Sequence, residues 1–360
     1  MSRAQAKPEP ARRSRSPSGG GLAIEAERLE KRFGDIRTVA GVDLAVAAGV
    51  VYGLLGPNGA GKTTTVRILA TLLAPDGGRA RVAGHDVAAE PRLVRRVIAL
   101  AGQAATVDED LTGRENLVLL ARLSGLGRTA AKARAARLLA AFELEDAAAR
   151  QVKAYSGGMR HRLDLAASLI ARAEVYFLDE PTTGLDPASR AQVHEVIRTL
   201  AADGATVLLT TQYLDEADRL AARIAVIDHG TVIAEGTPGQ LKAATGSGTL
   251  RIRLTDPAQR PLARRTLAGL LRAPVHEGAD PVLLTATVPA ARSERPPSEQ
   301  AAAAVTGLGR QGVSVGEFAL GQASLDEVFL ALTGQYAGSV QAATRSQAAA
   351  GPPATTKGSS

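Results

Sequence analysis

GPNGAGKT, Gly56 to Thr63, matches the pattern of a phosphate-binding loop at every fixed position. The apolar segment VVYGLL precedes it, and the helix-forming segment TTTVRILATLL follows it. Such loops connect a strand to a helix, and their glycines let successive backbone N–H groups surround an anion. The pattern therefore predicts a phosphate site in which Lys62 reaches the β- and γ-phosphates and Thr63 binds magnesium. A glycine-rich turn with an incidental lysine is the structural alternative.

Composition and charge exclude several classes of protein. The chain has 360 residues, enough for two domains, and 45% of them are hydrophobic, enough for a large core. It has no cysteine, which excludes disulfides and zinc–cysteine clusters, and its five histidines show no metal-ligand spacing. The net charge is +7, but arginine is spread along the chain and aromatics make up only 3%, so we expect no nucleic acid partner.

No membrane span or signal peptide is predicted. The apolar run LAVAAGVVYGLLG, Leu44 to Gly56, is too short and too glycine-rich to cross a bilayer as a helix. The first residues carry positive charges without an apolar stretch behind them. We therefore expect a protein that remains in the cytosol.

Residues 22–244 show the pattern of an α/β fold. Near-continuous apolar strands, such as VYFLDE at Val175 to Glu180 and TVLLTTQ at Thr206 to Gln212, alternate with longer helical patterns. This alternation favours a mainly parallel sheet that is covered by helices. Within the region, residues 104–172 are predicted to form a helical subdomain.

The remaining chain divides into a small domain and two tails. Residues 246–335 carry alternating strands and short helical patterns, which predict a small α+β domain with an internal loop at Ser293 to Gln300. Residues 1–21 and 337–360 are rich in Ser, Pro, Gly, Ala and Thr, and are predicted to be disordered.

Two carboxylates end the predicted strand VYFL. Asp179 and Glu180 would lie at the carboxyl edge of a sheet, where α/β folds bind their ligands. Phosphoryl transfer depends on positioning and charge stabilisation. We therefore expect Asp179 to hold magnesium through water and Glu180 to polarise the attacking water. The alternative is a strand end with solvated acids.

YSGGM, Tyr155 to Met159, precedes the helical pattern MRHRLDLAASLIAR. Ser156 suits the N-cap of that helix, and Gly157 and Gly158 leave the backbone free to approach a second anion. Read alone, the segment is equally compatible with an ordinary capped helix start.

The order of these motifs resembles that of the ATP-binding cassette (ABC) family: phosphate loop, Gln103, Ser-Gly-Gly signature, Leu-Asp-Glu strand end and the turn Gly184 to Asp186. The resemblance implies an ABC-type P-loop NTPase fold, with ATP and Mg²⁺ as cofactors. It also implies catalytic roles for Lys62, Glu180 and Gln212, and metal contacts for Thr63, Gln103 and Asp179. The implied ATP contacts are Phe33, Gly56, Pro57, Asn58, Gly59, Ala60, Gly61, Lys62, Thr63, Thr64, Gln103, Ser156, Gly157, Gly158 and Asp186.

In that family two nucleotide domains pack head to tail. The resemblance therefore implies that Ser156, Gly157 and Gly158 of one copy contact the γ-phosphate held by the other. This chain has one phosphate loop, so we expect a homodimer with two equivalent sites. Asp186 would communicate across the dimer, and it also suits the N-cap of a helix that begins at Pro187.

Two further roles follow from position within the family pattern. Phe33 lies where the family places an aromatic side chain against adenine, although packing in the core is a fair alternative. Gln103 would touch magnesium and water and link the nucleotide to the helical subdomain. An ordinary loop amide is the alternative for Gln103.

Departures from the usual pattern narrow the resemblance. Gln212 stands where the family usually has a histidine; its amide can donate a hydrogen bond but carries no charge, and we expect it to sense the γ-phosphate. Together with YSGGM and the terminal segment LDEVFLALTG, Leu325 to Gly334, this glutamine makes the chain resemble the daunorubicin-resistance type of export ATPase. The apolar stripe in that terminal segment, Leu325, Val328, Phe329 and Leu332, has helical spacing, so plain packing is the alternative there.

The resemblance implies an ATP-hydrolysing exporter subunit that powers efflux of a hydrophobic drug or lipid-like compound. A separate membrane permease would contact residues 104–154 and so hold this subunit at the cytoplasmic face of the membrane. The C-terminal domain would support assembly. The alternative is a soluble ABC ATPase that acts on ribosomes or nucleic acid. The single phosphate loop and the short spacing from Lys62 to Asp179 make that alternative less consistent with the chain.

Overall fold

The computed structural model describes residues 21–102, 107–244, 248–278, 280–288 and 296–322, together with Leu325, Val328 and Phe329. The strands of these residues are β1 (Leu22–Phe33), β2 (Ile36–Ala47), β3 (Val51–Leu55), β4 (Gly77–Val82), β5 (His85–Asp86), β6 (Ile98–Ala101), β7 (Val175–Asp179), β8 (Thr206–Thr211), β9 (Arg223–Asp228), β10 (Thr231–Gly236), β11 (Gly248–Leu254), β12 (Val275–Glu277), β13 (Leu283–Val288) and β14 (Val315–Gln322). The helices are α1 (Lys62–Leu69), α2 (Pro91–Val97), α3 (Gly113–Leu123), α4 (Arg128–Ala141), α5 (Gly157–Ser168), α6 (Pro187–Ala202), α7 (Leu214–Leu220), α8 (Pro238–Ala244), α9 (Arg260–Leu271) and α10 (Pro297–Arg310).

A six-stranded sheet in the order β10-β9-β3-β8-β7-β6 forms the centre of the first region. The strands β6, β7, β8, β3 and β9, in this spatial order, pair in parallel with their neighbours. The edge strand β10 pairs antiparallel with β9. Every residue of β3, β7 and β8 is buried, as expected for parallel strands with helices on both faces. The predicted α/β fold is confirmed.

A second, antiparallel sheet in the order β2-β1-β4-β5 was not predicted from the pattern. In β2 the buried residues Val42, Leu44 and Val46 alternate with exposed ones, so one face packs inward and the other meets solvent. In β1 several register shifts interrupt this alternation, one of them between Ala26 and Leu29. The irregular strand therefore lacks a clean period-two signal.

Helices occupy most of residues 107–172. Thr112 begins α3 with a capping box, in which its hydroxyl accepts from the Glu115 N–H while the Glu115 carboxylate accepts from the Thr112 N–H. The helical patterns ENLVLLARL, residues 115–123, and AKARAARLLAAFEL, residues 131–144, lie in α3 and mostly in α4. Within the described part of this segment, the one strand-like pairing is the bridge between Thr112 and Gln151.

The C-terminal region follows the order β-α-β-β-α-β, from β11 to β14 with α9 and α10 between strands. Its four strands pair antiparallel in the order β12-β13-β11-β14, which is the ferredoxin-like arrangement. One prediction fails here, because α10 begins at Pro297, inside the segment Ser293 to Gln300 that we expected to be a loop. Proline suits the first helical position, and Glu299 follows in the first turn.

The terminal segment returns to the first region. Leu325 and Val328 are buried in a cluster with Leu55, Ala217 and other apolar residues of the first region, and Phe329 packs against that cluster. The apolar stripe thus packs as its spacing suggests, while Leu332 lies outside the described residues. None of the helices in the described ranges is long and apolar enough to cross a membrane.

Candidate nucleotide-binding site

The loop between β3 and α1 has the backbone shape that its glycines permit. Gly59 and Gly61 have φ of 84° and 104°, in the left-handed region that favours glycine. A Cβ atom at Gly61 would lie 2.6 Å from the carbonyl oxygen of Thr38, and one at Gly56 would clash with the carbonyl oxygen of Ile227. Both positions therefore require glycine, and the loop ends at the first residue of α1.

Lys62 lies at the start of α1 and is only 4% exposed. Its ammonium group donates to the carbonyl oxygens of Gly56, at 2.8 Å, and Pro57, at 3.0 Å. It also lies 3.4 Å from a carboxylate oxygen of Glu180. The cation is therefore held at the mouth of the loop, within reach of the acid that follows β7.

Three side-chain oxygens meet at the carboxyl edge of the central sheet. Asp179 Oδ1 accepts a hydrogen bond of 3.1 Å from the Thr63 hydroxyl and one of 2.6 Å from the Thr210 hydroxyl. Thr210 faces Asp179 because β7 and β8 pair in register at these residues. Hydroxyl and carboxylate oxygens are the ligands that Mg²⁺ prefers, so the group fits such an ion.

Glu180 directly follows β7 in a strained conformation. Its φ of 54° lies in the left-handed region, which is costly for a residue with a side chain. The Glu180 N–H donates to the carbonyl oxygen of Thr210, at 3.1 Å, and lies 3.0 Å from the Thr210 hydroxyl. Thr210 therefore orients both acids. Sequence reasoning missed it, because its role depends on the register between two strands.

A cleft of about 380 Å³ lies between the loop and Glu180. It brings together the predicted residues Asn58, Gly59, Gly61, Lys62, Thr63, Thr64, Glu180 and Gln212. It also includes Thr38 and Thr183, which the sequence patterns did not single out. The Thr183 hydroxyl donates to the Glu180 carboxylate at 3.4 Å. The loop, Glu180 and the Gln212 amide thus line one cavity, and Asp179 is joined to it through its hydrogen bond with Thr63.

Phe33 ends β1 and is 49% exposed, so the core-packing interpretation of this residue is wrong. The Lys31 ammonium lies 5.9 Å from the centroid of its ring, a distance that allows a cation–π contact. One face or edge of the ring is therefore available to a planar group. Gln103, the other residue assigned from position in the pattern, lies outside the described residues.

Ser156, Gly157 and Gly158 lie at the start of α5 and do not line the cleft. Ser156 is the N-cap, with its hydroxyl accepting from the Met159 N–H at 3.2 Å, and it is exposed. Its neighbour Tyr155 is buried and donates its hydroxyl to the carbonyl oxygen of Ala147 at 2.7 Å; burial raises the pKa of this phenol. The signature segment is thus anchored by Tyr155 while its polar end faces outward.

Asp186 is the N-cap of α6. Its carboxylate accepts hydrogen bonds from the N–H groups of Ala188 and Ser189 and from the Ser189 hydroxyl, at 2.7–3.0 Å. These bonds, led by those of Ser189, hold the pKa of Asp186 below its ordinary value. The structural role proposed for this residue is therefore present.

Comparison with known proteins supplies the family. Residues 39–183 match the model described as ABC transporter. The daunorubicin/doxorubicin resistance ATP-binding protein DrrA of Streptomyces peucetius is 56% identical over 315 residues, 88% of this chain and 93% of that protein. This chain belongs to the ABC transporter family. It is an ATP-binding, ABC-type ATPase of the daunorubicin-resistance subfamily, so the family predicted from the motifs is confirmed.

Solved ABC structures share its fold. The ATP-binding subunit of an ABC transporter is 29% identical, with a TM-score of 0.57, and the match covers 63% of this chain and 94% of that subunit. A dimeric ATP-binding cassette in a post-hydrolysis state, bound to ADP and Pi, is 24% identical with a TM-score of 0.55, over 59% of this chain and 98% of the cassette. Both matches leave out more than a third of this ABC protein, whereas the Streptomyces peucetius relative spans most of its length.

Proposed function

We propose that this ABC ATPase powers the efflux of a hydrophobic drug or lipid-like compound through a separate membrane permease. The observation that carries the proposal is the cleft lined by Lys62, Thr63 and Glu180, with Asp179 hydrogen-bonded to Thr63, in a chain whose relative over most of its length is a daunorubicin/doxorubicin resistance protein. The cleft supplies the means to hydrolyse ATP, and the relative indicates the work that hydrolysis drives.

Within the cleft, the residues divide the chemistry by charge and position. The loop from Gly56 to Thr64 would bind the phosphates through its backbone N–H groups, and Lys62 would neutralise charge on the β- and γ-phosphates. Thr63 and Asp179 would hold Mg²⁺, which supplies charge stabilisation to the phosphoryl group when bound. The Glu180 carboxylate would accept a hydrogen bond from the attacking water. The Gln212 amide N–H would donate a hydrogen bond to the γ-phosphate.

The adenine and the second copy complete the proposed site. The exposed ring of Phe33 would stack against the adenine, with Lys31 beside it. Ser156, Gly157 and Gly158 are presented outward at the N-terminus of α5, a twelve-residue helix whose dipole favours an anion. We propose that they bind the γ-phosphate held by a second copy, with Asp186 communicating between the two sites. Neither copy would then be competent alone.

The domain assignment belongs to the same proposal. Residues 22–244 would be the ATP-binding cassette, with a helical subdomain at about 104–172 whose surface meets the permease. Residues 246–335 would support assembly and regulation. The permease would hold the protein at the cytoplasmic face of the membrane.

Daunorubicin retention in living cells tests the proposal. If a six-span permease is encoded beside its gene, drug-sensitive cells expressing this chain together with that permease should retain less daunorubicin than cells with the permease alone. Lys62→Ala should restore retention, because the phosphates lose their charge partner. Unchanged daunorubicin retention in cells that contain the permease, from a chain that hydrolyses ATP when purified, would overturn the export function and leave the ATPase assignment intact.

A further inference from the structure

Two side-chain contacts join α6 to the start of α7. The Arg190 guanidinium lies 4.8 Å from the centroid of the Tyr213 ring, and His194 Nε2 lies 3.0 Å from Glu216 Oε1. Arg190 and His194 are four residues apart and so share one face of α6. Tyr213 is the N-cap of α7, and Glu216 lies in its first turn. We call these four side chains the α6–α7 clamp.

The clamp lies next to the nucleotide cleft. Tyr213 directly follows Gln212, which lines the cleft, and the Tyr213 N–H donates to the Thr211 hydroxyl at the end of β8. The Gln212 amide makes no hydrogen bond to any side chain or backbone group in the described part of the chain. Its position is therefore set by the backbone between Thr211 on one side and the clamp on the other.

The chemistry of the clamp is poorly suited to stability alone. Glu216 is 0% exposed and His194 is 5% exposed, and Glu216 Oε2 is buried without a hydrogen-bond partner among the described residues. Arg190 Nε is likewise buried and unpartnered in that part of the chain. A buried polar group without a partner costs stability, and the best-attested use of buried polar pairs is to fix geometry. The clamp fits that use.

We infer that Arg190 and His194 are positioning residues that hold Gln212 at the phosphate end of the cleft. The inference rests on the proposed role of Gln212. Arg190 contacts Tyr213, and His194 contacts Glu216. Through these two contacts they would hold the backbone at the start of α7, and with it Gln212, which directly precedes Tyr213. Arg190 and His194 lie on α6, which begins at the Asp186 cap. This helix therefore connects the clamp beside Gln212 to Asp186, the residue proposed to communicate between two copies.

Steady-state ATP hydrolysis by the purified full-length chain tests the inference. A misplacement of about 1 Å can cost roughly 100-fold in rate. We expect His194→Leu and Tyr213→Leu each to lower kcat about tenfold with KM for ATP within about twofold, since the phosphate loop is untouched. His194→Gln keeps a hydrogen-bond donor and Tyr213→Phe keeps the ring, so both should retain most of the wild-type kcat. Arg198→Ala, which breaks an exposed pair with Glu195 on the same helix, is the matched control.

The decisive measurement repeats these substitutions in a Gln212→Ala chain. If the clamp acts through Gln212, His194→Leu and Tyr213→Leu should lower kcat no further in that background. A second fall of about tenfold would overturn the inference, as would wild-type kcat in folded His194→Leu, or in Gln212→Ala itself. If His194→Leu does not fold, half-buried Tyr213 carries the same comparison. Failure of the proposed function is separate, because unchanged daunorubicin retention would leave these ATPase rates, and their comparison in the Gln212→Ala chain, as they are.

Discussion

Thr210 donates a hydrogen bond of 2.6 Å to the carboxylate of Asp179, across the parallel pair β7 and β8. The same Thr210 lies within hydrogen-bonding distance of the Glu180 N–H through both its hydroxyl and its carbonyl oxygen. One threonine on β8 therefore sets the orientation of both acids at the end of β7. This dependence makes Thr210 the most informative site for a conservative substitution.

Removal of the Thr210 hydroxyl should lower the stability of the fold and weaken magnesium binding. Thr210→Val keeps the shape of the side chain but leaves buried Asp179 with one hydroxyl donor in place of two. A hydrogen bond to a charged group contributes about 2 kcal/mol, so the free energy of unfolding should fall by about that amount. The Mg²⁺ concentration for half-maximal ATPase should rise several-fold, as measured by phosphate release in a magnesium titration.

Thr210→Ser is the control, because serine retains the hydroxyl that bonds Asp179. It should keep the wild-type magnesium dependence even if the loss of its methyl group lowers stability. A Thr210→Val chain with an unchanged magnesium titration would show that Asp179 does not need this bond to hold the ion.

Glu180→Gln should separate ATP binding from ATP hydrolysis. Glutamine has the same shape but cannot accept a proton, so turnover should fall by at least 100-fold, in the range of general acid–base effects. ATP binding should persist or tighten, since a negative charge 3.4 Å from Lys62 is removed from beside the phosphates. Phosphate release and size-exclusion chromatography with ATP should then show an inactive dimer.

Glu145→Gln replaces an exposed acid outside the cleft and serves as the matched control, with wild-type turnover. Normal turnover in Glu180→Gln would contradict the assignment of Glu180 to the attacking water. A monomer in the presence of ATP would contradict the proposed two-copy site instead.

Contiguous motifs were the predictable part of this site. The loop, Lys62 and the pair Asp179–Glu180 follow from short stretches whose chemistry depends on local backbone shape. Thr210 and the α6–α7 clamp depend on which elements meet in three dimensions: His194 and Glu216 are 22 residues apart and belong to different helices. No local pattern encodes such a pairing, so it was available only from the structure.

The same distinction holds for the fold. The central strands β3, β7 and β8 are buried throughout and mostly apolar, so they can be recognised in the sequence without knowledge of their register. The strand β1 has bulges that shift its pairing, which breaks the alternation by which an antiparallel strand is recognised. The start of α10 was missed because proline and serine suggest a loop, although proline also suits a helix start.

Asp186 should give stability a specific dependence on pH. Its folded pKa is held below the ordinary value by the hydrogen bonds that cap α6, so its stabilising effect is present above the unfolded-chain pKa and is lost as pH falls through the folded pKa. Asp186→Ala should therefore be less stable than wild type at pH 7, and the gap should narrow below about pH 4. Urea unfolding across this range measures the gap.

Asp186→Asn should remain close to wild type at pH 7, because asparagine is also a good N-cap. Its stability relative to Asp186→Ala should not change with pH, since neither side chain titrates. A gap between wild type and Asp186→Ala that stays constant into acid would show that the cap does not depend on the ionised carboxylate.

Leu325→Ala distinguishes packing within one copy from contact between copies. Leu325 is buried against Leu55 and Ala217, so removing it leaves a cavity beside the strand that leads into the phosphate loop. Such substitutions cost about 3 kcal/mol, and we expect that loss in the free energy of unfolding at any protein concentration. Leu123→Ala, at a side chain that is 75% exposed, should leave stability nearly unchanged. A loss that appears only at concentrations where the protein is dimeric would instead assign Leu325 to the interface between copies, because a contact made within one chain cannot depend on concentration.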